Sequence, residues 1–461
     1  MELETERAEI QRALDSLSNY QAPICALPEE LLSDILQIGH AMQVAEARAF
    51  VVDFSPAIEL SASQVASYWR NIAIRTPRLW NTIRLPKNSG QIELHLRRSQ
   101  GLPLDVIINE GTTQPSVQSL CRLLSPLSTI TLLSFSRASQ LSSSQTGHLS
   151  RLRRLIVDGV QCSAASVHDI IRCLNSADTP HLIELELSAP WQVRSIAFDR
   201  TYKNRAPQLT AVVLNGVKFA DCLDPMEHIK ALRLWEYPTS LSTLSRTLNN
   251  MVNLVHMQLD LSIAFSDQEP SIALPALLEL HLNIPQSEKL PKFLILLDAP
   301  NLDCLSIASL AATTLDEACM SSCPSRFPKL HQLIFQENGS FTERSLYCTD
   351  YASYAVAFPT IRRLEIAIVV EQFILTILEG VNPANLKSYW PELDTLAIKR
   401  CIDISIIASA LVHRARNGRP IQRLLLAQDV QGCEALEGAT ELLPYVDHWP
   451  VHWPYEFPIT R

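Results

Sequence analysis

Two pairs of residues in this 461-residue sequence have the types and spacing that metal binding or acid–base catalysis requires. His448 and His452 are separated by three residues, a spacing found in zinc sites. Pro450 lies between them and disfavours the helix that would bring both rings to one ion, so we expect no metal site. His168 and Asp169 could act as an acid–base pair. No activated nucleophile can be placed beside them, so we expect a surface pair without catalytic function.

The glycine content also argues against enzymatic chemistry. The chain has 12 Gly, where average usage gives about 32, and glycine-rich loops carry the chemistry of Rossmann enzymes, P-loop NTPases and protein kinases. Gly432 and Gly438 are one residue too far apart for a P-loop, and Ala439 and Thr440 follow where Lys is required. We therefore expect a protein that is not an enzyme and binds no cofactor. An enzyme with an unrecognised site is the alternative.

Cysteine usage, apolar runs and charge bear on where the protein works. The eleven Cys are odd in number and form no C-x-x-C pair, which is typical of reduced intracellular proteins. The N-terminal MELETERAEIQ lacks the apolar segment of a signal peptide. The longest apolar runs have about five residues, where a membrane span needs about 20. The net charge of −9 comes without a basic stripe. We expect an intracellular protein, cytoplasmic or nuclear, that binds neither nucleic acid nor membrane.

The leucines belong to an internal repeat. The chain has 68 Leu, and many of them lie in a recurring apolar-x-x-apolar-x-apolar unit that often follows a Pro. Examples are PHLIELEL at Pro180, PALLELHL at Pro275 and PKLHQLIF at Pro328. The units are 20 to 32 residues apart, and their first apolar residues are Leu127, Leu152, Leu182, Leu209, Ile229, Leu254, Leu277, Leu302, Leu330, Ile361, Leu393 and Ile421.

Each unit has the alternation of a strand, and helical spacing follows it. Alternating apolar residues point to one side of an extended strand, and Pro at the start favours an extended backbone there. Helical spacing between strands is seen at Leu241, Leu244 and Leu248, and also at Val167, Ile170, Ile171 and Leu174. This pattern resembles the leucine-rich-repeat family over roughly residues 104–445. The Asn expected after the third apolar position is absent from most units. An ordinary α/β domain with buried strands is the alternative.

Residues between the strand apolars face the other side of the sheet and could bind a ligand. Twelve strands about 4.8 Å apart would form a face roughly 53 Å long, which suits a protein better than a metabolite. Trp235 is the best single contact candidate, since exposed Trp and Arg dominate interface energetics. Five carboxylates against one Arg predict a substrate with a basic segment, and a solvated sheet face is the alternative. The predicted substrate-binding residues are Glu184, Glu186, Arg233, Trp235, Glu236, His256, Gln258, Asp260, Glu279 and His281.

A helix with two apolar stripes is predicted near the N-terminus. The Leu-Pro-Glu-Glu sequence at residues 27–30 is a helix start, with Pro in the first turn and acidic residues at the positive end of the dipole. Leu31 and Ile35 lie one turn apart, as do Leu32 and Leu36. This is more apolar surface than a small helical bundle can bury. The helix therefore predicts a partner.

A second helix is expected after a variable stretch at residues 39–60. Val65, Trp69 and Ile72 fall on one helical stripe, which Pro77 ends. Together, residues 24–85 resemble an F-box, most closely the F-box-like form common in fungal proteins, although Ala66 stands where that pattern has Cys. The matching positions are Leu27, Pro28, Glu30, Leu31, Val65, Trp69, Arg70, Ile72, Ala73, Thr76, Pro77, Leu79 and Trp80.

The F-box resemblance implies an adaptor of an SCF-type E3 ubiquitin ligase. The F-box would dock on Skp1, and through it on a cullin, while the repeats hold a protein substrate close to the charged ubiquitin-conjugating enzyme. A non-ubiquitin leucine-rich-repeat scaffold is the alternative function. The implied Skp1-binding residues, which would otherwise form the core of the module itself, are Leu27, Pro28, Leu31, Leu32, Ile35, Leu36, Val65 and Trp69.

The predicted fold class is α/β. An N-terminal α-helical F-box-like module would precede a leucine-rich-repeat solenoid with a parallel sheet on its concave face and helices on its convex face. The end of a solenoid needs covering, which is the role predicted for the Trp- and Pro-rich C-terminus. The predicted domains are an amphipathic helix at 1–22 with Ile10, Leu14 and Leu17 on one side, the F-box-like domain at 23–86, the solenoid at 87–445 and the cap at 446–461.

Overall fold

The computed structural model divides the chain into two compact units, residues 1–181 and residues 182–461. The finer domain boundaries expected from the sequence stay predictions. The structure describes residues 4–7, 10–11, 27–48, 58–85, 89–108, 130–136, 152–158, 179–188, 206–216, 227–235, 239–260, 262–265, 270–284, 289–308, 315–336, 351–366, 378, 389–398, 404–426 and 446–448.

The first unit begins with helices and continues with parallel strands. Residues 4–7 and 10–11 are helical, and Leu14 and Leu17 lie outside the described residues. The helices that follow are α1 (Glu29–Arg48), α2 (Ile58–Val65), α3 (Ser67–Arg75), a short 3-10 helix (Pro77–Leu79) and α4 (Ser89–Arg98). The strands, which pair in parallel in chain order, are β1 (Thr82–Leu85), β2 (Leu104–Ile108), β3 (Ile130–Ser136) and β4 (Arg154–Asp158).

A small apolar core holds the helices of this unit together. Leu32 and Leu36 of α1 are buried in one cluster with Ile72 of α3 and with Trp80 after the 3-10 helix. The indole N–H of Trp80 donates a hydrogen bond to the carbonyl of Ala73 (2.7 Å), so the polar group of this fully buried ring is satisfied. Because α1 is an amphipathic helix, burial of this stripe leaves its opposite side outside the core.

The predicted second helix of the module is two helices. Ala66 has an extended backbone (φ −152°, ψ 162°) that separates α2 from α3. Val65 therefore lies on a different helix from Trp69 and Ile72, and the prediction that the three share one stripe is wrong. The stretch at residues 39–60 is partly helical as well, since α1 continues well into it.

The second unit is built on one parallel sheet of eleven described strands. Neighbouring strands follow chain order, and four two-residue strands form two further parallel pairs. The large sheet contains β5 (Glu184–Ser188), β6 (Ala211–Asn215), β7 (Ala231–Trp235), β9 (His256–Asp260), β12 (Glu279–Asn283), β14 (Cys304–Ala308), β15 (Gln332–Gln336), β16 (Arg363–Ile366), β17 (Thr395–Ile398), β18 (Arg423–Leu426) and β19 (Val446–His448). The short pairs are β8 (Thr239–Ser240) with β10 (Ile263–Ala264) and β11 (Ile272–Ala273) with β13 (Leu297–Asp298).

One backbone junction recurs between successive repeats. The carbonyl of the residue before a strand accepts hydrogen bonds from two consecutive N–H groups of the next repeat, as when Ile183 accepts from Thr210 and Ala211 (2.9 and 3.1 Å). The same arrangement continues along the described chain with donor–acceptor distances of 2.7–3.1 Å. The accepting carbonyls are those of Ile183, Thr210, Lys230, Val255, Leu278, Asp303, His331, Arg362 and Asp394. The repeats therefore keep one geometry although their lengths in sequence differ.

Apolar rows on one side of this sheet form the core of the second unit. The strand register aligns one row from Leu185 to Leu424 and a second from Leu187 to Leu426, and all their members from β5 to β18 are buried. The first apolar residues of the units, from Leu182 to Ile421, are buried too. The predicted α/β architecture with a parallel repeat sheet is confirmed.

The prolines that precede the strands do not start them. Pro275 is the second residue of a β-turn in which the N–H of Leu277 donates to the carbonyl of Leu274 (3.2 Å). The fixed φ of Pro suits the second position of such a turn. The prediction of an extended start is therefore wrong at this and at equivalent positions, which are Pro207, Pro300, Pro328 and Pro391.

Helices return the chain between several strands of the second unit. Leu241, Leu244 and Leu248 are buried on one helix, as their spacing predicts, whereas the helical set at residues 167–174 lies outside the described residues. The helices are α5 (Leu241–Leu248), α6 (Lys289–Leu296), α7 (Glu317–Arg326), α8 (Tyr351–Ala357) and α9 (Ile404–Arg416). Among the helices of the described residues, none has the length and apolar character needed to cross a membrane.

Replacing a residue of an apolar row should destabilise the second unit strongly. Leu280 is fully buried on β12, whereas Leu278, just before the same strand, is 43% exposed. We expect Leu280→Ala to lower the free energy of unfolding by about 2–5 kcal/mol, because it removes buried atoms and leaves a cavity. Leu278→Ala is the matched control and should change it by less than about 0.5 kcal/mol. Urea unfolding followed by circular dichroism measures both, and equal losses would contradict the row assignment.

Candidate functional site

Helix α1 carries an apolar stripe outside the core, which we call the α1 stripe. Leu31, Ile35, Ile38 and Met42 follow each other at intervals of four, three and four residues, which places them on one side of the helix. Each is 47–61% exposed. At 1.5 Å per residue the stripe is about 16 Å long. Single exposed apolar residues are ordinary, but a contiguous row of them is typical of a binding surface.

The eight implied Skp1 contacts divide between this surface and the core. Leu32 and Leu36 are buried inside the unit, so the expectation that they contact a partner is wrong, and their role is to hold α1 in place. Leu31, Ile35, Val65 and Pro28 are exposed, and Leu27 and Trp69 are half-buried. Trp69 packs against the core cluster from its edge.

Two members of the α1 stripe were not predicted. Ile38 and Met42 lie beyond the segment that the sequence assigns to the helix, yet both continue the spacing of Leu31 and Ile35. The signal was present in the sequence as an apolar residue at every third or fourth position. Met42 lies in the stretch at residues 39–60 for which the sequence predicts no element, and Ile38 lies just before it.

The charges beside the α1 stripe are acidic at its N-terminal end. Glu29, Glu30 and Asp34 are exposed in the first two turns of α1, and Glu29 and Glu30 lie in the turn where the helix dipole is positive. A partner that covers the stripe would meet these carboxylates at the rim. The surface therefore favours an apolar partner groove with basic residues at one end.

A buried polar cluster fixes α1 against the rest of the first unit. The Glu59 carboxylate of α2 lies between His40 of α1 (Nδ1 to Oε2, 3.6 Å) and His95 of α4 (Nε2 to Oε1, 3.8 Å). The other ring nitrogen of His40 is hydrogen-bonded to the hydroxyl of Thr82 on β1 (3.2 Å). Gly39 brings α1 close to α2, since a Cβ at this position would lie 2.6 Å from Cδ1 of Ile58. The α1 stripe is thus presented by a helix that is held at several points.

The side of the second-unit sheet opposite the core carries three rows of largely polar residues, which we call the polar face. The strand register places the first row from Glu184, the second from Glu186 and the third from Ser188. Nine of the ten predicted substrate-binding residues lie on these rows, and Glu236 lies outside the described residues. The first row contains Glu184, His256 and Glu279, the second Glu186, Arg233, Gln258 and His281, and the third Trp235 and Asp260.

Two of these residues are too buried to serve as open contacts. Glu184 is 6% exposed and His281 is 8% exposed. The prediction that both offer accessible side chains to a ligand is wrong, because both are buried. Both residues lie on the polar face, as predicted, but their side chains are more buried than predicted. The remaining seven described residues are partly or well exposed.

Arg233 and Trp235 form a stacked pair on β7. The guanidinium carbon of Arg233 lies 4.6 Å from the ring centroid of Trp235, which is the distance of a cation–π contact. Burial lowers the pKa of Arg233, and the carboxylates of Glu186 and Asp260 act in the opposite direction. Trp235 is still 36% exposed, so the pair presents an aromatic surface to solvent.

The His, Cys and Glu residues at the centre of the polar face do not form a nucleophilic site. Nδ1 of His256 lies 2.8 Å from Oε2 of Glu279, and Cys304 pairs in register with Glu279 on the next strand. Burial and the neighbouring carboxylates raise the pKa of the Cys304 thiol, so it stays protonated at neutral pH. Burial lowers the pKa of His281 to about 4, which leaves its ring neutral. This arrangement can accept and donate hydrogen bonds but offers no thiolate.

Two asparagines of the third row were not predicted. Asn215 flanks Trp235 in the register, and Asn283 flanks Asp260. The side-chain oxygen of each is buried without a hydrogen-bond partner within the protein. Each directly follows the third apolar residue of its unit, so the repeat alignment contained the signal.

The histidines with metal-like spacing are not brought into a cluster by the described structure. His448 lies on β19 in register with Leu426, and His452 lies outside the described residues. Within the described ranges, no three His, Cys, Asp or Glu side chains are grouped closely enough to hold a metal ion. Cys319 and Cys323 are a buried pair on α7 with their sulfurs 3.3 Å apart, and both are free thiols.

Comparisons with known proteins add little to this geometry. No family model matches the chain, and no curated protein matches it. Among solved structures, it is similar to the leucine-rich repeat-containing protein LegL7 from Legionella pneumophila, with 12% sequence identity and a TM-score of 0.36. The match covers 67% of this chain and 97% of that chain. The architecture given above therefore rests on the strand pairing and not on this similarity.

Protonation of His281 should destabilise the second unit in acid. Its folded-state pKa of about 4 lies below the ordinary value of 6.5, so the unfolded chain binds the proton more readily. Above pH 6.5 this difference does not affect the free energy of unfolding. As the pH falls from 6.5 towards 4, the free energy of unfolding decreases, by up to roughly 3 kcal/mol. We expect the urea midpoint to fall less between pH 7 and pH 4.5 in His281→Gln than in the unmodified protein. Identical pH dependence in both would contradict the burial of this ring.

Proposed function

We propose that this protein is the substrate-recognition adaptor of an SCF-type E3 ubiquitin ligase. Its first unit binds Skp1 through the α1 stripe, and its second unit binds a protein substrate on the polar face. The observation that carries the proposal is the exposed apolar stripe on the helix that directly follows the Leu27–Pro28 motif. An F-box docks through such a helix, and two residues of the stripe, Leu31 and Ile35, are among the contacts that the resemblance in sequence implies.

The energetics of the α1 stripe favour a stable docked complex. Burying the exposed half of a Leu, Ile or Met side chain contributes about 1 kcal/mol, and the stripe has four of them. Since α1 is held by its own core and by the Glu59 cluster, little conformational entropy is lost on docking. The acidic residues at the N-terminal end would orient the partner, because charge at the rim of an interface sets register more than affinity.

The mechanism of such an adaptor is proximity. Binding both the ligase core and a substrate raises the effective concentration of the substrate lysine beside the charged ubiquitin-conjugating enzyme. The adaptor itself supplies no catalytic group, which fits the protonated Cys304 thiol and the neutral His281 ring on the polar face.

A protein-interaction scaffold without ubiquitin function is the second candidate. The observation that favours it is the second unit, whose parallel repeat sheet and exposed Trp235 suit partner binding whether or not an adaptor is bound. In that case the α1 stripe would contact another protein. Co-purification of Skp1 with the full-length chain separates the two candidates.

Charged residues in the α1 stripe should abolish binding to Skp1. We expect the double change Leu31→Asp with Ile35→Asp to weaken binding at least about 100-fold, since two carboxylates would be buried in an apolar interface. Both positions are exposed, so the thermal midpoint should stay close to that of the unmodified protein. Isothermal titration with purified Skp1 measures the affinity, and circular dichroism checks the fold.

Val252→Asp is the matched control for this experiment. Val252 is an exposed aliphatic residue in the second unit, with 45% exposure close to that of Ile35. This change should leave Skp1 binding unaltered. Full Skp1 binding by the Leu31 and Ile35 variant would overturn the docking proposal, and no Skp1 binding by the unmodified chain would favour the scaffold.

A further inference from the structure

The third row of the polar face contains an unusual local combination around Trp235. Asn215 and Asp260 are its register neighbours on β6 and β9, and Asn283 follows on β12. The row therefore reads amide, indole, carboxylate, amide across four strands, or about 14 Å. Polar and aromatic groups alternate along this row, which lies at the ends of strands that the backbone junction aligns.

The Trp235 ring is partly covered by Arg233 and partly exposed. Arg233 stacks against it at 4.6 Å and occupies one face of the ring. The 36% exposure of Trp235 leaves the remaining aromatic surface available. Exposed aromatic surface beside carboxylates suits a planar cation, because Arg stacks on aromatic rings and is weakly hydrated.

Charge at this place favours a cationic ligand. The described charged residues on the rows from β5 to β12 are four carboxylates and one Arg, and His281 is neutral. These carboxylates belong to Glu184, Glu186, Asp260 and Glu279. The side-chain oxygens of Asn215 and Asn283 have no partner within the protein, but both are buried, so neither is taken as a contact of the ligand. A guanidinium has five N–H donors and no acceptor, so it complements carboxylates.

We infer that the polar face binds a basic substrate segment through one arginine side chain stacked on Trp235. This inference rests on the proposed function only in taking the polar face as the substrate-binding surface. The guanidinium stacks on the exposed part of the Trp235 ring, beside the carboxylate of Asp260 on the neighbouring strand. Arginine is favoured over lysine because an ammonium lacks the plane that stacking requires.

Two peptides of equal charge test this inference on the full-length chain. The probes are the fluorescein-labelled nonapeptide Gly-Ser-Lys-Gly-Arg-Gly-Lys-Ser-Gly and its twin with Lys in place of Arg. Fluorescence anisotropy at 150 mM salt should give roughly 3- to 30-fold tighter binding of the arginine peptide. Trp235→Ala should remove this preference, and Trp235→Phe should keep part of it. Asp260→Asn should weaken both peptides.

The controls separate a specific site from general attraction to an acidic protein. Val252→Ala, an exposed position off the polar rows, should leave both affinities unchanged. Equal binding of the two peptides by the unmodified protein, or an unaltered arginine preference in Trp235→Ala, would overturn the inference. Skp1 binding measured on the same preparations keeps the two proposals apart. Arginine preference without Skp1 binding would refute the adaptor function alone, and Skp1 binding without arginine preference would refute this site alone.

Discussion

Everything in the second unit depends on the fact that no repeat can bury its own apolar residues. A single strand and its return segment leave Leu232 and Leu234 uncovered until the neighbouring strands supply the matching rows. The backbone junction, in which one carbonyl accepts two N–H groups of the next repeat, fixes how those strands align. Since side chains alternate across a strand, this alignment also decides that Arg233 and Trp235 lie on the polar face. A slip of one residue would exchange core and binding surface.

Much of this architecture could be predicted from the sequence because the apolar positions of the repeat are spaced regularly. The positions of the strands and the side of the sheet on which each predicted residue lies follow from alternation alone. How deeply a side chain is buried does not follow from alternation. Glu184 and His281 are buried although their strand positions place them on the polar face. The turns before the strands were also missed. Pro is compatible with an extended backbone and with the second position of a turn, and the hydrogen bond from Leu277 to Leu274 selects the turn.

In helix α1, too, the sequence alone does not show which residues become buried. The sequence reveals two apolar stripes, but it cannot tell which one is covered, because the covering residues Ile72 and Trp80 come from a later part of the chain. It also suggests an end at Gly39, since glycine is common just after helices. Here Gly39 lies inside α1 because a side chain would collide with Ile58, so packing between helices explains its presence. The part of the helix beyond Gly39 contains Met42, the last residue of the α1 stripe.

The burial of the polar face limits what its open part can bind. On the second row, Ser306, Ile334, Glu365, Ala397 and Leu425 are all buried from β14 to β18. The more open positions of this row, Glu186, Arg233 and Gln258, lie on β5, β7 and β9, which at about 4.8 Å per step span roughly 14 Å. The first row is open further along the sheet, as far as the exposed Arg423 on β18. An extended chain covers the open part of the second row with about four residues. This row therefore suits a short linear segment, and a short segment depends for its affinity on a few deeply held side chains. If the polar face binds such a segment, most of the selectivity would rest on the side chain that meets Trp235, the most exposed aromatic residue on the described part of the face.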